Sequence, residues 1–147
     1  MATFIIPVNP ERSSLDRIFQ NGNSLLWIHK QGYPRYQVGD ILYMYISSPV
    51  QEIYFKVRVN RTNVQANREE LSDESTWTRD EYLEEQAKNN NNDEIELIKE
   101  VPENLRNQLS IEALSDNGFI GNFPYGKPVN ISANEQLIRY IESVIEE

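Results

Sequence analysis

The chain contains no cysteine. A disulfide framework, a thiolate metal site and a cysteine nucleophile are therefore excluded. Histidine is almost as scarce. His29 is the single one, so a Ser-His-Asp triad would have to be built on it. There is no HExxH segment, no histidine pair and no EF-hand loop, which argues against metal chemistry. There is no glycine-rich phosphate loop either; Gly118 and Gly121 lack its pattern. No apolar stretch reaches the roughly 20 residues that span a bilayer. The opening MATFIIPVNPER has no basic region followed by a long apolar core, so it does not read as a secretory signal. The expectation is a cytoplasmic protein that needs no cofactor and no membrane.

At 147 residues the chain reads as one domain, 1–147. That is long enough to bury a core without disulfides or a structural metal. The net charge of −9 is unevenly spread. Residues 1–68 hold 8 Lys/Arg against 4 Asp/Glu, and residues 69–147 hold 6 against 19. A uniformly acidic surface would repel phosphates, but a divided chain can still present one basic face.

The most ordered pattern lies between Tyr36 and Val59, YQVGDILYMYISSPVQEIYFKVRV. Gly39-Asp40 is a turn signal. Ile41–Ile46 is apolar on both faces, as in a central strand covered on both sides. Ser47-Ser48-Pro49 stops it. The return strand alternates, with Ile53, Phe55, Val57 and Val59 on one side and Tyr54, Lys56 and Arg58 on the other. Thr3–Val8 and Ser24–His29 read as further strands, Pro7 marking an edge or a strand end. Between them Ser13 and Asp16 have capping-box spacing ahead of a helical face of Leu15, Ile18 and Phe19. Thr78 and Glu81 open a helix over Arg79–Lys88, and Asn89–Asn92 reads as a flexible surface loop. Glu94–Val101 is a strand. Ser110–Asn117 is a short helix ending at Gly118. Ser132 and Glu135 cap a final helix with Leu137, Ile138, Ile141, Val144 and Ile145 on one face. The sum is a mixed, mainly antiparallel α+β domain of five or six strands. Curling the sheet into a small barrel flanked by helices would remove its exposed edges.

The carboxylate pairs, such as Glu84-Glu85, lie in surface runs and read as solvation. His29 sits in an apolar strand, where a lone histidine is more often structural than catalytic. What remains is aromatic and polar. Trp27 near a strand end, Ser47-Ser48 in a turn, and Phe123 and Tyr125 in a Gly/Pro-bounded loop are candidates to converge on one pocket. A flat ring held between aromatics, with hydroxyl and amide groups at its edge, is how a single unpaired base is read.

The order FIIPVNP, Ser-led helix, LLWIHK, YQVGDILYMYISSP, EIYFKVRV, and then SIEALSDNGFIGNFPYGKPVNI before an amphipathic helix resembles the EVE-type domains. These belong to the PUA-like superfamily and are relatives of YTH domains. The variety most similar is found beside HNH endonucleases and other bacterial restriction modules. The resemblance implies a five- or six-stranded curved barrel. It also implies a pocket for a flipped modified base, a methylated or hydroxymethylated cytosine or a methylated adenine. Carried over, it assigns Asn9, Trp27, Ser47, Ser48, Phe123 and Tyr125 to the base pocket. Lys30, Arg35, Lys56, Arg58 and Arg61 would then hold phosphates of DNA or RNA, with a nuclease partner acting in trans. Gln65–Asn92 has no counterpart in the family pattern and reads as a polar, acidic insertion.

Two other functions compete with a non-catalytic base reader. One is a protein-interaction or small-molecule module using the same barrel pocket, favoured by the acidic second half. The other is an enzyme of the related ASCH type, whose Lys/Thr/Glu-type site has no evident counterpart in the sequence.

Overall fold

The computed structural model describes all residues except 21, 73–74, 121–126 and 147. Six strands form one sheet in the order β2-β5-β4-β3-β1-β6. They are β1 (Thr3–Val8), β2 (Ser24–Ile28), β3 (Ile41–Ile46), β4 (Glu52–Val64), β5 (Asn92–Glu100) and β6 (Val129–Asn130). β1 and β3 are parallel and the other pairs antiparallel. The helices are α1 (Arg68–Ser72), α2 (Asp80–Asn89), α3 (Ile111–Asp116) and α4 (Glu135–Ile145), with a 3-10 helix over Glu103–Leu109. This is the expected α+β class, with six strands.

β3 is buried along almost its whole length, and β3 and β4 are central, as an apolar run on both faces requires. The Gly39-Asp40 turn explains how β1 finds β3. Gly39 adopts φ +94, a conformation natural to glycine. The Asp40 carboxylate is buried and accepts the N–H groups of Ala2 and Gln37, each at 2.8 Å. β1 is therefore anchored at its first residue, and its parallel register follows from Thr3 opposite Ile41. Pro7 lies beyond the short β6 ladder, which reaches only Phe4 and Ile5, so its missing N–H costs nothing there.

Each face of the sheet carries its own core. One gathers Phe4, Ile6, Val8, Leu25, Leu42, Met44, Ile46, Phe55, Val57, Val59 and Ile95 from five strands. Few residues outside the sheet complete it: Ile18, Tyr36 and, at its margin, Leu15, Phe19 and Val50. The sheet itself therefore supplies most of this cluster. The opposite core packs Ile5, Tyr43, Tyr45 and Ile53 against Leu109, Leu114, Leu137, Ile141, Val144 and Ile145. Ile53 was expected beside Phe55. A bulge changes this: Met44 pairs with Phe55 but Tyr45 with Ile53, so Tyr54 is the extra residue and Ile53 passes to the α4 side.

Four local expectations give way to longer-range bonds. Residues 15–20 are successive turns rather than a helix. Phe19 has φ +60, and the Ser14 N–H leaves its own segment to bond the Thr76 carbonyl at 2.6 Å. Thr78 does not cap α2; its hydroxyl donates to the Glu11 carbonyl at 2.6 Å. The α4 cap is Asn134, whose side chain accepts the Leu137 N–H, while the Ser132 hydroxyl accepts the Thr3 N–H. The asparagine run is not a free loop. Asn90 ends α2 in the left-handed conformation and accepts the Ala66 N–H at 2.7 Å. Asn92 opens β5 fully buried, donating to the Val64 carbonyl (3.1 Å) and accepting from Gln86 (2.8 Å).

Candidate nucleic-acid interface

Two segments distant in sequence are laced together at the β2 edge of the sheet. Ser13 and Trp77 form an antiparallel bridge. The Thr78 N–H donates to the Arg12 carbonyl at 2.8 Å, and Ser14 bonds Thr76 as above. The strap 75–78 is fixed from beneath. The Trp77 indole N–H donates to Gln86 Oε1 at 2.7 Å, and Gln86 Nε2 reaches Asn92 Oδ1. Leu26 of β2 packs with Trp77 against a small core of Ala66, Leu71 and Leu83. The described residues between β4 and β5 thus form a structured flap on β2.

Arg12 emerges from this lacing over a ring. Its guanidinium lies 5.0 Å from the centre of the Tyr82 ring. Tyr82 in turn tilts against Trp77 at 5.9 Å. The Arg12 charge also acts on Tyr33. Burial raises the Tyr33 phenol above its ordinary range, and the Arg12 charge partly opposes that rise. Arg12 has no carboxylate partner among the described residues.

Tyr33 leads into a cluster at the margin of the first core. His29 Nδ1 lies 2.8 Å from Asp93 Oδ2, and both residues are buried. The imidazole meets Tyr36 edge-to-face at 5.4 Å and Tyr33 at 6.4 Å. Tyr36 packs on Phe4 at 5.1 Å. Its phenol is raised far above the usual range, first by burial and then by the charges of Asp93 and Tyr33. Trp27 faces Asp93 across the β2–β5 ladder and is half-buried at the margin of the same core. Indole, imidazole and two phenols therefore surround one buried carboxylate. Such a site offers stacking planes, with Asp93 or His29 to meet a polar ring edge. Lys30 and Arg35 stand in the same loop as Tyr33 and Tyr36, also without a carboxylate partner among the described residues.

The other sequence candidates lie elsewhere. Asn9 shapes the loop that bears Arg12: its side chain accepts the Glu11 N–H at 3.0 Å, and its carbonyl accepts the N–H groups of Arg12 and Ser13. Ser47 donates its N–H to the Val8 carbonyl at 2.8 Å, which sets it beside Asn9 at the end of the β1–β3 pair. Ser48 is exposed and precedes Pro49 through a cis bond. Strand register places Trp27 before the start of β3 and Ser47 past its end, so the expected convergence of these two is not seen. Phe123 and Tyr125 lie outside the described residues. Lys56, Arg58 and Arg61 project from the face opposite Trp27. Each is paired with a glutamate: Lys56 with Glu142 (2.5 Å), Arg58 with Glu96 (2.7 Å) and Arg61 with Glu94 (2.6 Å). Glu142 also accepts the Tyr43 hydroxyl at 2.9 Å. Arg58 and Asn60 hold the Glu96 carboxyl below the usual range. Among the described residues no cluster of metal-ligating side chains occurs, and no helix is long and apolar enough to cross a membrane.

No family model and no curated protein matches the sequence. Solved structures do match. A crystal structure of ASCH from Zymomonas mobilis superimposes with a TM-score of 0.61 at 9% identity, over 97% of this chain and 95% of that one. The fold is that of the ASCH domain. A variant of that protein with a single serine-to-alanine substitution matches at 0.60 and 10% identity. An Agrobacterium tumefaciens protein matches at 0.59 and 13% identity, over 97% of this chain and 92% of that one. The comparison thus supports a PUA-like fold of the ASCH type, not the EVE variety in particular. At these identities the likeness concerns the fold, and the site rests on this chain's own residues.

Proposed function

We propose that the chain is a non-catalytic nucleic-acid-binding module that seats one extruded, modified base beside Trp27. The observation that carries this reading is that cations without a carboxylate partner among the described residues stand beside rings. Arg12 lies over Tyr82, which tilts against Trp77, and Lys30 and Arg35 share the loop of Tyr33 and Tyr36, in a protein whose net charge is −9. Such cations in so acidic a chain form a place where a phosphate strand gains rather than loses energy. Rings interleaved with them give bases a surface to stack on, worth about 1–3 kcal/mol per base. The EVE-type resemblance supplies the reason for expecting a methylated or hydroxymethylated base. The Lys56, Arg58 and Arg61 set is left out of the proposed strand path, because its charges are met by Glu142, Glu96 and Glu94.

The test is anisotropy with labelled single-stranded DNA and RNA carrying 5-methylcytosine, 5-hydroxymethylcytosine or N6-methyladenine, beside unmodified controls. Binding that favours one modification and weakens on Trp27→Ala is expected. Equal affinity for all strands would leave a strand binder without base reading.

A second reading has its own support. Lys56, Glu142 and the buried Tyr43 hydroxyl form a compact polar group on an ASCH-type fold, which favours a hydrolase of N-acylated nucleosides. Release of carboxylic acid from N4-acetylcytidine, abolished in Lys56→Met, would establish it in place of the first.

A further inference from the structure

A cleft of about 470 Å³ opens between the turns after β1, helix α1 and the start of α2. Trp27, His29, Tyr33 and Tyr36 take no part in its lining. Arg17, Arg68 and Arg79 enter it from three different segments, with Ser72 and Ser75 on its wall and Trp77 beside Leu83. We infer that this cleft binds the phosphate of a nucleotide, with the nucleoside laid against Trp77.

Three guanidinium groups converge on one space, and Glu84, Glu81 and Asp80 balance their charge while leaving most of their N–H donors free. Arg68 pairs with Glu84, and Arg79 with Glu81 at 3.4 Å, each through one nitrogen of its guanidinium. The remaining N–H donors of both stay available. Arg17 has no carboxylate partner among the described residues; one of its nitrogens donates to the Trp77 carbonyl at 3.2 Å, which aims the group. Asp80 is the one carboxylate among the described residues of the cleft wall. An incoming phosphate would take charge-assisted, forked hydrogen bonds from the remaining donors, the geometry for which arginine is suited. The Ser75 hydroxyl, which accepts the Trp77 N–H at 3.3 Å, keeps its own proton to donate, whereas the Ser72 hydroxyl already donates to the Glu69 carbonyl. The volume is within the range of small-ligand sites and suits a mononucleotide. The apolar wall fits a ring rather than a bare inorganic ion.

The phosphate can come from a free mononucleotide or from a strand crossing the flap, and the experiment separates these. Calorimetric titration of the full chain with AMP, CMP and adenosine is the first arm. A phosphate site binds the two nucleotides at least tenfold more tightly than adenosine, and the Arg17→Ala/Arg68→Ala double variant abolishes the difference. Titration with a single-stranded oligonucleotide is the second arm. If strand binding also weakens tenfold in the double variant, the cleft lies on the strand path. If strands bind as before while nucleotides are lost, the cleft serves free nucleotides. Wild-type protein that does not distinguish AMP from adenosine, or a folded double variant that still does, overturns the inference without touching the Trp27 reading. A far-ultraviolet dichroism melt verifies that the variant is folded.

Discussion

Arg12 lies over the face of Tyr82, its guanidinium carbon 5.0 Å from the ring centre, and so joins the segment after β1 to helix α2. A cation on a ring face is held electrostatically while its edge donors remain free. Arg12 is therefore placed without being neutralised, which distinguishes it from the glutamate-paired cations of β4.

Arg12→Ala is expected to weaken single-strand binding and to flatten its salt dependence. One phosphate contact contributes a slope of about 0.7 in log affinity against log salt for single strands. Arg58→Ala, removing an exposed cation already paired with Glu96, should leave that slope unchanged. Fluorescence anisotropy at several salt concentrations measures both.

Asn92 lies under the flap with its side chain fully bonded. Asn92→Ala leaves the buried Gln86 amide and the Val64 carbonyl short of a partner. The cost is about 1–3 kcal/mol for an unsatisfied buried group. The loss should loosen the flap, because Gln86 also holds the Trp77 indole. Asn91→Ala serves as the neighbouring control. A chemical melt followed by tryptophan fluorescence reads the difference.

Tyr36 and Tyr43 govern behaviour in alkali. Burial is the first cause of both raised phenols; Asp93 and Tyr33 add to it at Tyr36, and Glu142 at Tyr43. An unfolded tyrosine ionises near pH 10. Above that pH the unfolded chain holds fewer protons at these positions than the folded one, so stability falls as pH rises. The contribution is complete below pH 10 and is lost progressively above it. Tyr36 and Tyr43 should ionise only as the protein unfolds. Absorbance at about 295 nm during a pH titration follows the phenolate, and Tyr43→Phe should soften the alkaline fall in stability.

The strands and the long helix were legible where apolar periodicity is strong. β3 announced itself as central by having no polar residue, and α4 by its Leu137, Ile141 and Val144 stripe. α2 and α3 were also named, from turn and cap signals, but two short elements were not legible. α1 buries only Leu71, and β6 is two residues held by pairing with β1. The asparagine run misled because composition cannot show that Asn90 and Asn92 find partners in Ala66, Gln86 and Val64. Capping spacings misled at Ser13, Thr78 and Ser132 for a related reason. Each of these residues bonds a segment far along the chain in place of its own helix end. The site divided in the same way. Trp27 could be named from local pattern, and Lys30 and Arg35 from the EVE-type resemblance. Arg12, Tyr82, Trp77 and Asp93 join them only through the bridge from Ser13 to Trp77 and the β2–β5 register.

The most direct test of the account is the affinity of the intact chain for a single-stranded oligonucleotide, measured with one modified base and without it, across a range of salt. The account predicts tighter binding to the modified strand, weakening as salt rises, and loss of that preference in Trp27→Ala. Absence of binding at low salt would contradict it.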